Sequence, residues 1–306
     1  MIITNAVLEA LRTNLRGEFQ SGLDKGNGLT FHGDVATRVG SSTKSNTYGW
    51  LSKFPKLREW VGDRVVKDLT ESSYQILNKK YEGTVDVERE DIEDDNLGIY
   101  GPIAQSMGHE AAIHPSRLLS GLIASGTSTL CYDGQNFFDT DHPVYANEDG
   151  TGAATTVSNY DDNGGLGGTA WYLLDCSRPL KPFIFQERTR PEFDTLDNPS
   201  ASEPVFMKDK YLYGIRYRCN VGFAFWQCAY RCEKPLTEDN FNEAYAALQS
   251  IKRDGGEPMG IMPTHLMVPV SLRSAALKIA EAEFINGGDS NVNAKAVKPL
   301  VNPWLV

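Results

Sequence analysis

Near the N-terminus, apolar residues recur at helical spacing: Val7, Leu8, Leu11, Leu15 and Phe19 fall on one stripe. Thr4 or Asn5 is placed to cap this helix, Ser21-Gly22 predicts its end, and Gly26-Asn27-Gly28 reads as a flexible connector. A narrow apolar stripe tethered by glycines must dock on its own body or on a neighbouring subunit. After the polar stretch 37–47, Tyr48, Trp50, Phe54 and Trp60 crowd into a short segment with Lys and Gly between them. Such a segment is either a strand pair packed on the main body or an extended hairpin anchored into another chain, since aromatics are enriched in interface cores. Tyr74, Ile76, Tyr81, Val85 and Val87 then alternate with polar residues, which predicts strands with a bend at Glu82-Gly83.

Seven carboxylates follow within residues 86–95. They lack the glycine turn and fixed spacing of a calcium loop, so Asp94 or Asp95 is read as the cap of the next helix. That helix is predicted over 97–125. Tyr100, Ile103, Ala104, Met107, Ala111, Leu118, Leu119, Leu122 and Ile123 form its apolar face. Pro115 should kink or break it, and Gly126 should stop it. Unbroken, it would span about 43 Å, which suits a spine across a flat subunit.

Residues 171–175 and 180–186 read as strands, and 211–219 with 222–231 as a longer antiparallel pair. Both faces of 222–231 are largely apolar, which predicts a strand covered on both sides. In the last quarter Thr237 caps a helix with Phe241, Ala244, Tyr245, Leu248 and Ile251 inward, ended by Asp254-Gly255-Gly256. His265–Val270 reads as a buried strand. Ser271 is expected to cap a helix reaching Phe284, with Leu272, Ala275, Ala276 and Ile279 inward, and 298–306 as a last strand. Strand and helix alternate here, as in a mixed α/β unit.

The 306 residues exceed what one small core needs, and a hydrophobic fraction of 41% excludes a disordered or collagen-like chain. No apolar run is long enough to cross a bilayer, and the first residues do not resemble a secretory signal. Thirty basic against forty acidic residues, net −10, argue against binding duplex DNA through its phosphates. Cys131, Cys176, Cys219, Cys228 and Cys232 are read as buried thiols of a reducing compartment; their spacing and strand parity do not form a zinc site. Asp139, Asp141, His142 and Cys131 invite a hydrolase reading. However, no strained nucleophile turn accompanies them, and Asp-His-Pro before a glycine-rich loop is more simply a structural turn.

Several stretches resemble one family: Ser45-Asn-Thr-Tyr-Gly-Trp-Leu51 with Phe54-Pro55, 93–100, Cys131-Tyr-Asp-Gly-Gln-Asn-Phe-Phe138, Asp175-Cys-Ser-Arg178, Ile184-Phe-Gln-Glu-Arg188, Phe225-Trp-Gln227 and Pro263-Thr-His265. Together, in order over nearly the whole chain, they are similar to the major head subunits of Mu-like phages and prophages, the gpT family. The resemblance implies an α+β Hong Kong 97-type capsid fold: an N-terminal arm (1–45), an E-loop (46–90), a mainly peripheral domain with the spine helix (91–232) and an axial domain (233–306). Residues 168–180 are a candidate for the axial side, because Trp171-Tyr-Leu-Leu precedes the axial-type helix pair.

It further implies a major capsid protein of the virion, made in the bacterial cytoplasm. Such a protein self-assembles as hexamers and pentamers into an icosahedral shell around double-stranded DNA. Scaffold, head protease, portal and decoration proteins are its expected partners, without cofactor, metal, membrane or sequence-specific DNA contact. The residues expected at assembly interfaces are Leu8, Leu11, Leu15, Tyr48, Trp50, Phe54, Trp60, Tyr74 and Tyr81. The alternatives are a hydrolase using Cys131, Asp141 and His142, or another virion component such as a tail or baseplate protein.

Overall fold

The computed structural model describes residues 4–52, 74–94, 98, 100–148, 150–196, 207–285 and 288–305. Its first helix runs Asn5–Asn27, capped by Thr4, whose Oγ1 accepts from the Val7 amide. It passes straight through Gly22 and Gly26, which therefore neither end a helix nor form a connector. The reason is the neighbouring helix, Tyr100–Ala124. A Cβ on Gly22 would sit 1.9 Å from the Gln105 carbonyl oxygen. On Gly26 it would meet the Ala112 Cβ at 2.6 Å, and on Gly108 it would lie 2.0 Å from the Phe19 carbonyl oxygen. The glycines are the points where two backbones touch. The long helix is also continuous through Pro115, so of the kink or break expected there no break occurs, and at 1.5 Å per residue it spans about 37 Å. Asp94 ends the short helix Arg89–Glu93 rather than starting the long one, and Asp95 lies outside the described residues.

The same substitution should act oppositely at two glycines of this helix. Gly108→Ala gains helix propensity worth up to about 1 kcal/mol but pushes a methyl into backbone, so a net loss of about 1–3 kcal/mol is expected. Gly121 has nothing within 4 Å of a built Cβ, so Gly121→Ala should stabilise. Urea unfolding midpoints read both signs.

Against the helix pair lies a four-stranded sheet ordered Ala36–Gly40, Phe183–Leu196, Lys210–Phe223, Lys79–Glu88. The first pairing is parallel and the other two are antiparallel. Tyr211, Tyr213, Phe193 and Val87 face the helices, packing with Leu8, Leu11, Leu15, Phe19, Tyr100 and Ala104. Lys210–Phe223 is one unbroken strand, so 211–219 and 222–231 are not a hairpin pair. The chain turns at Trp226–Cys228 and enters a second sheet as Ala229–Cys232. Every residue from Val221 to Tyr230 is nevertheless buried, as the two apolar faces required.

The second sheet is ordered Lys298–Asn302, His265–Pro269, Trp171–Leu174, Ala229–Cys232, Tyr160–Asp161. Trp171–Leu174 is wholly buried at its centre, so this strand groups with the C-terminal elements. Helix Glu238–Gln249 carries the expected cap, with Thr237 Oγ1 accepting from the Asn240 amide. The last helix is only Arg273–Ala280, and Ser271 does not cap it: Val270–Leu272 forms a 3-10 turn before it, and the chain reverses at strand Phe284–Ile285. One hydrophobic core runs from Phe31 and Leu119 through Trp171 and Phe223 to Leu300 and Leu305. Among the described residues no helix is long and apolar enough to cross a membrane.

Candidate assembly surface and the Cys131 cluster

Strand Ser45–Thr47 pairs antiparallel with Gln75–Leu77, Ser45 opposite Leu77 and Thr47 opposite Gln75. The chain thus leaves and returns at one place on the outer side of the four-stranded sheet. The base of this excursion is clamped by buried polar groups. Tyr48 Oη donates to Gln186 Oε1 at 2.7 Å, and Gln186 Nε2 donates to the Ile76 carbonyl and to Asn78 Oδ1. Asn78 in turn donates to Ser41 Oγ and the Thr43 carbonyl. The Phe223 amide donates to Tyr74 Oη, and Asn220 Nδ2 donates to the Leu77 carbonyl. Burial pushes the Tyr74 hydroxyl up to about 12, so it stays protonated and in place across physiological pH.

This geometry redistributes the residues expected to meet a neighbour. Leu8, Leu11, Leu15 and Tyr48 are only 2–4% exposed, covered by the subunit's own residues, so they offer no surface to another copy in this conformation. Leucines at helical spacing announce burial without naming the partner, and here the long helix is that partner. Tyr74 is half-buried at the excursion's base, and Tyr81 is half-buried with its ring centroid 4.1 Å from that of His114. Phe54, Trp60 and the side chain of Trp50 lie outside the described residues.

The hydrolase constellation assembles differently from its sequence outline. His142 Nδ1 lies 2.7 Å from Asp133 Oδ2, and the Cys131 thiol donates to Asp133 Oδ1 at 2.9 Å. Asp133, which the sequence reading passed over, is the bridging acid. The available signal was its place two residues after Cys131 and just before Gly134, whose φ of 88° makes the turn. Asp141 takes no part: it sits at the surface, and its carboxyl is raised by a shared hydrogen bond with Asp139. His142 is fully buried and stacks on Trp226 at 3.9 Å, its Nε2 without a partner among the described residues.

Burial, then the Asp133 charge, push the Cys131 thiol far above its ordinary value, the wrong direction for a nucleophile. Burial works against the Asp133 carboxylate, but hydrogen bonds from His142 and Cys131 outweigh it and hold the group below the usual range. The three donor atoms lie within 4.8 Å of one another, close enough to consider a metal. However, both Asp133 oxygens are already spent on His142 and Cys131. The geometry is that of a hydrogen-bonded hub fastening the turn at 131–136 to strand His142–Tyr145, whose His142 stacks on Trp226.

Residues 8–305 match the family model described as Mu-like prophage major head subunit gpT. The chain is 45% identical over 293 residues to the major capsid protein of Escherichia phage Mu, covering 96% of this chain and 95% of that one. Among solved structures, a chain of the bacteriophage JBD30 procapsid superposes with a TM-score of 0.88 at 50% identity, covering 99% of this chain and all of that one. A chain of the JBD30 capsid superposes at 0.73 with 39% identity, covering 90% and 91%. These relatives are structural capsid proteins, and the α+β architecture described above is the Hong Kong 97-type capsid fold they share. The chain therefore belongs to the Mu-like prophage major head subunit family.

Proposed function

We propose that copies of this head subunit close, as hexamers and pentamers, into an icosahedral shell around double-stranded phage DNA. In this reading the mechanism is geometric. The excursion between the paired strands Ser45–Thr47 and Gln75–Leu77 serves as the E-loop, reaching over a sister copy. The helix pair and four-stranded sheet form the peripheral domain, and the sheet centred on Trp171–Leu174 forms the axial domain at the capsomer centre. Under this assignment the axial domain recruits 168–180 from the middle of the chain. Many modest contacts made at once give the lattice its stability. Scaffold, head protease, portal and decoration proteins would meet the shell from either side.

The observation that carries the reading is the end-to-end superposition on a procapsid chain at a TM-score of 0.88. Electron microscopy of the purified chain tests it. Closed shells or five- and six-membered rings are expected; tubes, or monomers at every concentration, would overturn it.

A further inference from the structure

The face of the four-stranded sheet turned away from the helices is divided by charge. Alternation along Lys210–Phe223 puts Tyr211, Tyr213, Tyr217 and Cys219 inward and Lys210, Arg216 and Arg218 outward. Arg218 stands directly opposite Lys80 on the neighbouring strand, and Arg188 lies beside it in the bulge of Phe183–Leu196. Like charges facing each other weaken a sheet, so this pairing costs the isolated subunit stability. None of Lys80, Arg188, Arg216 and Arg218 has a carboxylate within 4.0 Å among the described residues, although Glu82 and Glu192 flank Arg216 across the strands. Arg218 is half-buried, and its Nε has no hydrogen-bond partner among the described residues. Partial desolvation and the charges of Arg188 and Arg216 press its guanidinium below the ordinary value.

Away from the base of the excursion, the face turns acidic. Lys210 already neutralises Asp86 and Glu88, and Arg89 takes Glu93 and Asp209. Asp194 is exposed on this face, and Glu90 and Asp94 are exposed on the short helix Arg89–Glu93 and its C-cap, just past the end of Lys79–Glu88; none has a cation within 4.0 Å among the described residues. Among the described residues, unpaired cations thus lie toward one end of the face and unpaired anions at or just past the other. A nucleic acid lying along it would run onto Glu82, Asp86, Glu88, Glu192 and Asp194, in a chain of net charge −10. A second copy of the chain offers the complementary charge to each end.

We propose that this face is a head-to-tail contact between copies, the basic corner of Lys80, Arg188, Arg216 and Arg218 receiving the acidic end, Glu90, Asp94 and Asp194, of the next. With each copy giving its basic corner to one neighbour and its acidic end to another, the contact is heterologous, the kind that closes into rings when the rotation closes. It rests on the assembly reading and names the charges that would orient neighbours within it.

Charge reversal tests it, with folding checked by circular dichroism and thermal melting. Arg188→Glu with Arg218→Glu should lower the assembled fraction by about tenfold or more at low salt, as should Glu90→Lys with Asp194→Lys. All four changes in one chain restore complementarity and should restore assembly, as should mixing the two double variants. Wild-type assembly should weaken from about 0.05 M to about 0.5 M salt as the charges are screened. Wild-type assembly matched by both double variants, with an unchanged salt response, would overturn the contact. So would a four-change chain that folds yet does not recover, or a loss confined to DNA retention. A wild-type chain that never assembles would instead overturn the assembly reading itself.

Discussion

Replacing residues 53–73 by a short Gly/Ser linker should abolish shells while leaving a folded subunit. The strands that bracket the excursion, Ser45–Thr47 and Gln75–Leu77, hold their register through backbone pairing and through the Tyr48–Gln186–Asn78 hydrogen bonds, none of which needs the removed residues. Tyr48, Leu51 and Ile76 pack with Ile184, Phe225 and Cys228 in a cluster that remains after the deletion. The expected readout is a cooperative melt near the parent's, with sedimentation showing single subunits or small rings in place of shells. The cut must spare 74–79, because Tyr74 Oη and the Ile76 and Leu77 carbonyls take part in the fold itself. Normal shells from the shortened chain would remove the excursion from the assembly account.

A large single-residue loss of stability is expected at Asp175. Its carboxylate is fully buried. Oδ1 accepts from the Ser177 amide and hydroxyl, while Oδ2 accepts from Arg178 Nε at 3.2 Å and the Met262 amide at 3.2 Å. Arg178 Nη2 in turn reaches the Met259 carbonyl at 2.6 Å. This one acid therefore ties the exit of the central strand Trp171–Leu174 to the loop leading into His265–Pro269. Asp175→Ala takes this acceptor from two amides, the Ser177 hydroxyl and Arg178 Nε.

Breaking a buried pair of this kind costs about 3–5 kcal/mol; because Arg178 keeps some solvent contact, about 3 kcal/mol is expected, or roughly 5 °C in Tm. Asp175→Asn keeps the shape and one acceptor oxygen, so it should fall between. Calorimetry of both variants reads the order, and a melting temperature unchanged in Asp175→Ala would show that the hub carries no load.

Helices announced themselves in the sequence because a 3.6-residue stripe is a local signal, visible in Val7 to Phe19 and in Tyr100 to Ile123. What local pattern could not reveal was the job of the small residues. Gly22 and Gly26 read as breakers because a glycine required by a neighbouring backbone looks the same in sequence as one required by a turn. The strand Lys210–Phe223 was split for a similar reason. Asn220-Val221-Gly222 resembles a turn, whereas the actual change of direction lies in the apolar 224–228 stretch, where alternation carries no information.

Capsid identity was legible through resemblance, not chemistry. Motifs such as Cys131–Phe138 and Asp175–Arg178 turn out to be structural hubs, with Asp133 and Asp175 as their acids. The charge division of the outer sheet face was hidden because it needs the register that opposes Arg218 to Lys80.

Whether the excursion belongs to its own subunit or to a sister is read most directly by isotope-mixed cross-linking. Heavy- and light-labelled chains are mixed, assembled and treated with a lysine-reactive linker, and the peptides carrying Lys53, Lys56 and Lys67 are then followed. The account predicts that these lysines link mainly to the other label, in species that sediment as rings or shells. Links confined to one label, in a protein that remains a single subunit when concentrated, would contradict it.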